Sequence, residues 1–399
     1  MHFRGMLLGA AGLVAAFVIF AQAPQLPPPY ATKSVNNGPR VIPEPQSAKL
    51  SVPAGFHIEV WAEDFNVPRF MMLGPGNEVL LSDSGNAPKG CVYVFPPNSK
   101  VPRKIIDGLN QPFGLAMLNG YLYVAENDSV KRYKYDAKSM TAAVPGQEVI
   151  SLKGQGTHHW TRSLLFDRAG KYLYVGVGSG SNSTPGEDPR RAAISRYSVD
   201  GWKHEIYASG TRNPVSLRWY PGTDTLWTGV QERDTLGDDL VPDYFTHIQQ
   251  GAFYGWPYAY IGPHEDPMNK DYIDAHKEAA AMVAKTIAPD VLLGAHVAVL
   301  DFIFYTGKQF PAQYQGGAFL CLHGSWNRSM RVGQSVAFIP FKNEKPAGPM
   351  TEVVKGWMLG PDQREVWGRP VGLLQLPDGS LLISEDGNSK IYHLSYTGK

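Results

Sequence analysis

The chain has 399 residues, 43% hydrophobic and 18% charged, enough to bury a large core in one big domain or two ordinary ones. Its formal net charge of +1 gives no bulk electrostatic case for a nucleic-acid partner. With 42 glycines, 32 prolines and 12% aromatics, the composition points away from a helical protein and towards many strands joined by many turns.

The N-terminus reads as a targeting segment, 1–23. His2 and Arg4 precede an apolar run from Met6 to Phe20, followed by Ala21-Gln22-Ala23, the arrangement of a secretory signal peptide. Pro24 directly after that site disfavours cleavage, so an uncleaved anchor is the alternative, although the run is short for a membrane span. Either way the body of the protein is expected in the periplasm or outside the cell. Residues 24–50, proline-rich, read as a linker before a domain spanning 51–399.

From residue 51 a unit repeats: an apolar strand, a turn, then a longer apolar strand. The copies are PRFMMLGPGNEVLLSDSG from Pro68, QPFGLAMLNGYLYVAEN from Gln111, HHWTRSLLFDRAGKYLYVGVGSGSN from His158, RNPVSLRWYPGTDTLWTGVQ from Arg212, a longer fifth from His296 to Gly324, and RPVGLLQLPDGSLLISEDG from Arg369. In the third copy, Asp167-Arg168-Ala169-Gly170 makes the turn and the aromatic and branched run Tyr172 to Gly178 makes the second strand. Most copies are followed by another strand, as at Cys91 to Phe95 and Lys390 to Leu394. Only Asp274 to Lys285 has a fair helical period. Six such units predict an all-β, six-bladed β-propeller, in which radial repetition leaves few exposed sheet edges. The two cysteines, Cys91 and Cys321, form no CxxC, zinc or haem-attachment pattern; they read as small buried apolar residues, with a disulfide as the alternative.

In a propeller the innermost strands all start at one face of the central channel. Residues just before them therefore converge near the axis. Those positions hold Arg69, Gln111, His159 with His158 and Arg162, Arg212-Asn213, His296 and Arg369. A ring of cations and amides with no carboxylate in it predicts a site for a polyanionic ligand. The long interval between the fourth and fifth copies predicts a loop insertion, about 232–295, over the channel face. It carries the acid-rich turn Glu232-Arg233-Asp234-Thr235, which can offer oxygens to calcium without the EF-hand spacing. It also carries Gly251-Ala252-Phe253-Tyr254-Gly255-Trp256-Pro257, whose Tyr254 and Trp256 can wall a sugar ring.

Several stretches are more specific: ERDTLGDDLVPDYFTHI (232–248), GAFYGWPYAYIG (251–262), LGAHVAVLDFIFYTGKQFP (293–311) and GGAFLCLHGSWNRS (316–329), with SGTRNP (209–214) and HHWTRSL (158–164). On these residues the chain resembles the soluble, pyrroloquinoline-quinone-dependent sugar dehydrogenases, the glucose/sorbosone dehydrogenase family, and most of all its L-sorbosone dehydrogenase branch. The resemblance covers roughly residues 51–397. It implies a quinone and a calcium ion over the channel, with His159 as the catalytic base. It also implies Gln111, Arg212, Asn213 and Arg369 at the cofactor, with Trp367 where a second late arginine belongs. His323 or Arg328 stands near the position of a family lysine, and His158 replaces an aspartate. The dipeptide whose carbonyls bind calcium is replaced by Arg233-Asp234-Thr235, leaving Glu232, Asp234 or these carbonyls as the implied ligands. The implied reaction is hydride transfer from a sugar or sugar aldehyde to the quinone, with calcium polarising it and an external cytochrome or quinone as electron acceptor. The alternatives are a calcium-dependent lactonase or esterase, which needs inward Asp, Glu and Asn, and a non-enzymatic binding propeller.

Overall fold

The computed structural model describes residues 25–398; the targeting segment and its Ala21-Gln22-Ala23 site lie outside them. Six antiparallel blades ring a central axis, five of four strands and the second of five, where the short strand Thr141–Ala142 is added. Their innermost strands are Pro68–Leu73, Leu115–Leu118, Arg162–Phe166, Asn213–Trp219, Val299–Phe304 and Pro370–Gln375, each packed against the next. All six fall in the six sequence repeats, so the propeller is as expected.

The second strand of each repeat is a nearly continuous apolar run because both of its faces are covered. Its side chains alternate between two neighbours. Leu80 joins a cluster with blade 2, whereas Leu81 joins one with blade 6. Leu173 likewise faces blade 2, and Tyr174 faces blade 4. Each of the six blade-to-blade interfaces has its own buried apolar cluster. Cys91 and Cys321 are buried as free thiols, and no disulfide joins them.

Three features depart from expectation. The ring is closed by Phe56–Ala62, which pairs antiparallel with Lys390–Tyr396, Phe56 opposite Tyr396 and Val60 opposite Tyr392. The proline-rich segment is not a free linker: it is strapped over the blade 4 to blade 6 loops. Tyr30 N donates to the Leu236 carbonyl at 2.8 Å, Asn37 N to that of Trp326 at 2.7 Å, and Arg40–Val41 pairs in parallel with Glu365–Val366. The 232–295 interval is only partly insertion, because Pro242–Ile248 and Val291–Ala295 are the third and fourth strands of blade 4. The excursion between them holds two short helices, Lys270–Ala275 and Lys277–Lys285, broken at His276. No helix among the described residues is long and apolar enough to cross a membrane.

Candidate active site

Two sets of loops meet where the inner strands begin. One set is the connections into those strands. The other is the loops from second to third strand, which an antiparallel blade returns to the same face. Only the first set follows from the repeat phase, and the structure shows that the second supplies most of the partners.

His159 sits in the connection into blade 3 at φ +45°. Its Nδ1 lies 2.9 Å from the Ser179 carbonyl and 3.0 Å from Ser179 Oγ. Ser179 Oγ donates to the Ser181 carbonyl at 2.6 Å, so Nδ1 carries the proton and donates, leaving the Nε2 lone pair free. Burial, then the charge of Arg212, holds the imidazole well below its ordinary pKa of 6.5. Gly178 leaves the necessary room: a Cβ there would meet Asn213 Oδ1 at 2.2 Å and His159 Cβ at 2.5 Å. Asn213 Nδ2 donates to Gln231 Oε1 at 3.1 Å, while its buried Oδ1 has no partner among the described residues. His158 is exposed beside it, edge-on to the His159 ring at 4.2 Å between centroids. Arg191, which sequence reading missed, donates from Nη2 to the His158 carbonyl at 2.7 Å and also to the Ser179 carbonyl that holds His159.

Arg162 was expected at the cofactor, but it is fully buried with its guanidinium on the carbonyls of Asn127, His159, Thr161 and Gly156 at 2.7–3.2 Å. It braces the turn that carries His159 and has no face left for a ligand. Trp367 is a core residue whose indole N–H donates to the Gly356 carbonyl at 2.7 Å. Tyr254 and Trp256 do not wall a pocket either. Tyr254 is buried with its hydroxyl on the His247 carbonyl, and the Trp256 indole N–H donates to the Asn182 carbonyl at 2.9 Å. Arg328 turns away to the acidic turn, donating to Asp239 Oδ1 at 2.6 Å and to the Asp238 carbonyl.

The ring also has carboxylates. Asp386, from the second-to-third-strand loop of blade 6, is 2.5 Å from Arg69 Nη2 and 2.8 Å from His323 Nε2. Burial would raise its pKa, but Arg69 and His323 outweigh that and hold it low. His323 is pushed down to about 4 by burial and by Arg369, so it is neutral and donates to Asp386. Asp234, from the same loop of blade 4, pairs with Arg212 at 3.1 Å and faces His296 Nδ1 at 3.4 Å. His296 Nε2 is 3.0 Å from the Gly237 carbonyl. Arg369 is the exception: its Nε donates to the His323 carbonyl at 3.3 Å, and neither Nη group has a partner among the described residues. The Gln111 side-chain amide is likewise without a partner among the described residues, and its backbone N–H holds the Gly85 carbonyl.

Arg369, Gln111 and His159 Nε2, each on a connection into an inner strand, thus keep donors and an acceptor unmet among the described residues, a set that suits a ligand rich in carboxylates and carbonyls, while Asn213 Oδ1 is buried against Gly178. The calcium expectation fares differently. Among the described residues no cluster of three or more His, Cys, Asp or Glu side chains is arranged for a metal ion. Glu232 and Asp266 are both held by the buried Arg233, at 3.0 and 2.5 Å.

The sequence model of the TrAA12-like family matches residues 50–250 and 244–397. An uncharacterized protein of Borreliella burgdorferi is 26% identical over 368 residues, covering 89% of this chain and 93% of its own length. The solved structure of the Trichoderma reesei carbohydrate-active enzyme family AA12 protein superposes with a TM-score of 0.73 at 21% identity, covering 89% of this chain and 99% of that one. The holo form of the pyranose dehydrogenase PQQ domain from Coprinopsis cinerea gives 0.74 at 18% identity, over 88% of this chain and 98% of its own.

Proposed function

We propose, from the premise that the chain belongs to the TrAA12-like family, that it is a pyrroloquinoline-quinone-dependent dehydrogenase of sugars or sugar aldehydes. His159 carries this reading: a neutral imidazole with Nδ1 pinned on the Ser179 carbonyl and Nε2 bare is prepared as a general base. The quinone-binding and pyranose-oxidising relative described above supports the cofactor and the substrate class.

When bound, the quinone supplies an electrophilic two-electron acceptor bearing three carboxylates. Arg369 and Gln111 would hold carboxylates, and Asn213 and His158 would border the ring edge. His159 Nε2 takes the proton of a sugar C1 hydroxyl or of an aldehyde hydrate. Arg212, fixed beside His159, opposes its protonation in the resting site. Arg191 keeps the Ser179 carbonyl aimed at Nδ1, so the basic nitrogen stays turned to the substrate. The side chains of Glu232, Arg233, Asp234 and Thr235 do not fit a calcium ion: Arg233 is itself a cation holding Glu232 Oε2, Asp234 is held by Arg212 and faces His296, and only Glu232 Oε1 is left without a partner among the described residues, so no step is assigned to one. Export rests on the N-terminal sequence, and an external electron acceptor on the lack of a CxxCH motif.

The purified protein given pyrroloquinoline quinone should reduce a dye with aldoses, pyranoses or sorbosone as donor. Failure of the quinone to bind would overturn the reading. The pH dependence is a second check. A base must be deprotonated to work, and burial holds His159 below 6.5. The acid limb of kcat/KM should therefore fall below pH 6.5, and a limb at or above that value would contradict the assignment.

A further inference from the structure

We infer that the Arg212 guanidinium is the built-in cation of this site and that quinone binding here needs no divalent metal; the second half rests on the dehydrogenase reading, the first does not.

A guanidinium has five N–H donors. Those of Arg212 meet five oxygens: the Asn182 carbonyl at 3.0 Å from Nε, the Gln231 and Glu232 carbonyls at 3.4 and 2.6 Å from Nη1, and Asn182 Oδ1 and Asp234 Oδ2 at 2.9 and 3.1 Å from Nη2. The side chain is buried, at 4% exposure. Three backbone carbonyls, an amide oxygen and a carboxylate are the hard-oxygen mixture that calcium selects, and calcium takes six to eight of them. Here that nest is filled by a cation covalently attached to the start of a blade 4 strand.

Among the described residues the side chains of the rest of the acidic turn form no second nest. Asp234 Oδ1 faces His296, Glu232 Oε2 and Asp266 are held by Arg233, and Asp243 accepts the N–H groups of Glu232 and Ala298 at 2.8 and 2.6 Å. Of the side-chain oxygens of the turn, Glu232 Oε1 alone is buried without a partner among the described residues; a single carboxylate oxygen is far short of a calcium shell. A metal entering the nest must first expel a buried guanidinium from five hydrogen bonds, two of them to the side chains that also fix the loop.

The full chain should show no heat on calorimetric titration with calcium chloride alone, and its thermal midpoint should be the same in calcium and in EGTA. Quinone affinity, followed by tryptophan fluorescence, should be equal in both. Arg212→Ala empties the nest and should make the midpoint rise with calcium, whereas Arg212→Lys, which keeps a cation there, should not. The inference is overturned if the wild-type chain binds calcium without quinone, if quinone affinity falls about tenfold or more in EGTA, or if folded Arg212→Ala gains no calcium response. If Arg212→Ala does not fold, the wild-type titrations decide. If quinone binds under neither condition, the dehydrogenase reading falls and the calcium titration still decides the place of Arg212.

Discussion

Replacing His159 with alanine is expected to lower turnover roughly 10²–10⁴-fold, the usual contribution of a positioned general base, while quinone affinity stays close to that of the parent. The two effects separate because different groups carry them. The free donors that can hold carboxylates are on Arg369 and Gln111, whereas His159 offers a lone pair at Nε2. The fold should be unaffected: the ring makes one hydrogen-bonded contact, to Ser179, and Arg162 braces the turn through the His159 backbone carbonyl, which alanine retains. Steady-state kinetics with saturating quinone, alongside a fluorescence titration of the quinone, makes the distinction. Near-parental turnover would remove His159 from the chemistry. Unchanged turnover per bound quinone with lost quinone binding would make it a binding residue.

Arg233→Met is expected to destabilise the fold by about 3–5 kcal/mol, the range for breaking a buried ion pair by deleting one partner. Arg233 is fully buried and reaches Glu232 Oε2 at 3.0 Å, Asp266 Oδ2 at 2.5 Å and the Ala259 carbonyl at 2.6 Å. Its removal leaves two carboxylates in an apolar interior beside Tyr244 and Tyr260, where burial already raises the Glu232 pKa. It also removes the Arg233 ties to Ala259 and Asp266 of the 249–290 excursion, leaving those of Trp256, Asp266 and Asn269 to the Asn182-Ser183 loop. Denaturant unfolding should show a lowered midpoint, and combining the change with Glu232→Gln and Asp266→Asn should recover much of the loss, since no unpaired charge then remains buried. A loss under about 1 kcal/mol would be the behaviour of an exposed pair and would contradict this account.

The repeats were legible because each blade writes the same local message. Its second strand is apolar on both faces, and a polar residue stands ahead of its first. That placed His159, Arg212, Asn213, His296 and Arg369 at one mouth. A further signal went unused: polar residues also follow the second strands of blades 2 to 6, as Asn127, Ser179 and Asn182, Asp234, His323 and Asp386 do. Those positions carry the carboxylates that the expected ring lacked. The roles given to Trp367, Tyr254, Trp256 and Arg328 failed for a different reason. An indole or guanidinium in a mouth-forming motif can as well satisfy a nearby carbonyl as face a ligand, and the motif alone does not distinguish the two.

From the sequence by itself came the blade count, the all-β class and the positions just ahead of the inner strands, since these follow from period-two patterning and repeat phase within short windows. Which of the gathered charges remains free was decided only by tertiary structure. Arg69 is paired with Asp386, more than three hundred positions later in the chain, Arg212 with Asp234, and Arg233 with Glu232 and Asp266, leaving Arg369 with Nη groups unengaged among the described residues. Ion pairing depends on separation in space to within a few ångströms, and in a closed ring residues far apart in the chain become neighbours when the last blade is completed by strand 56–62.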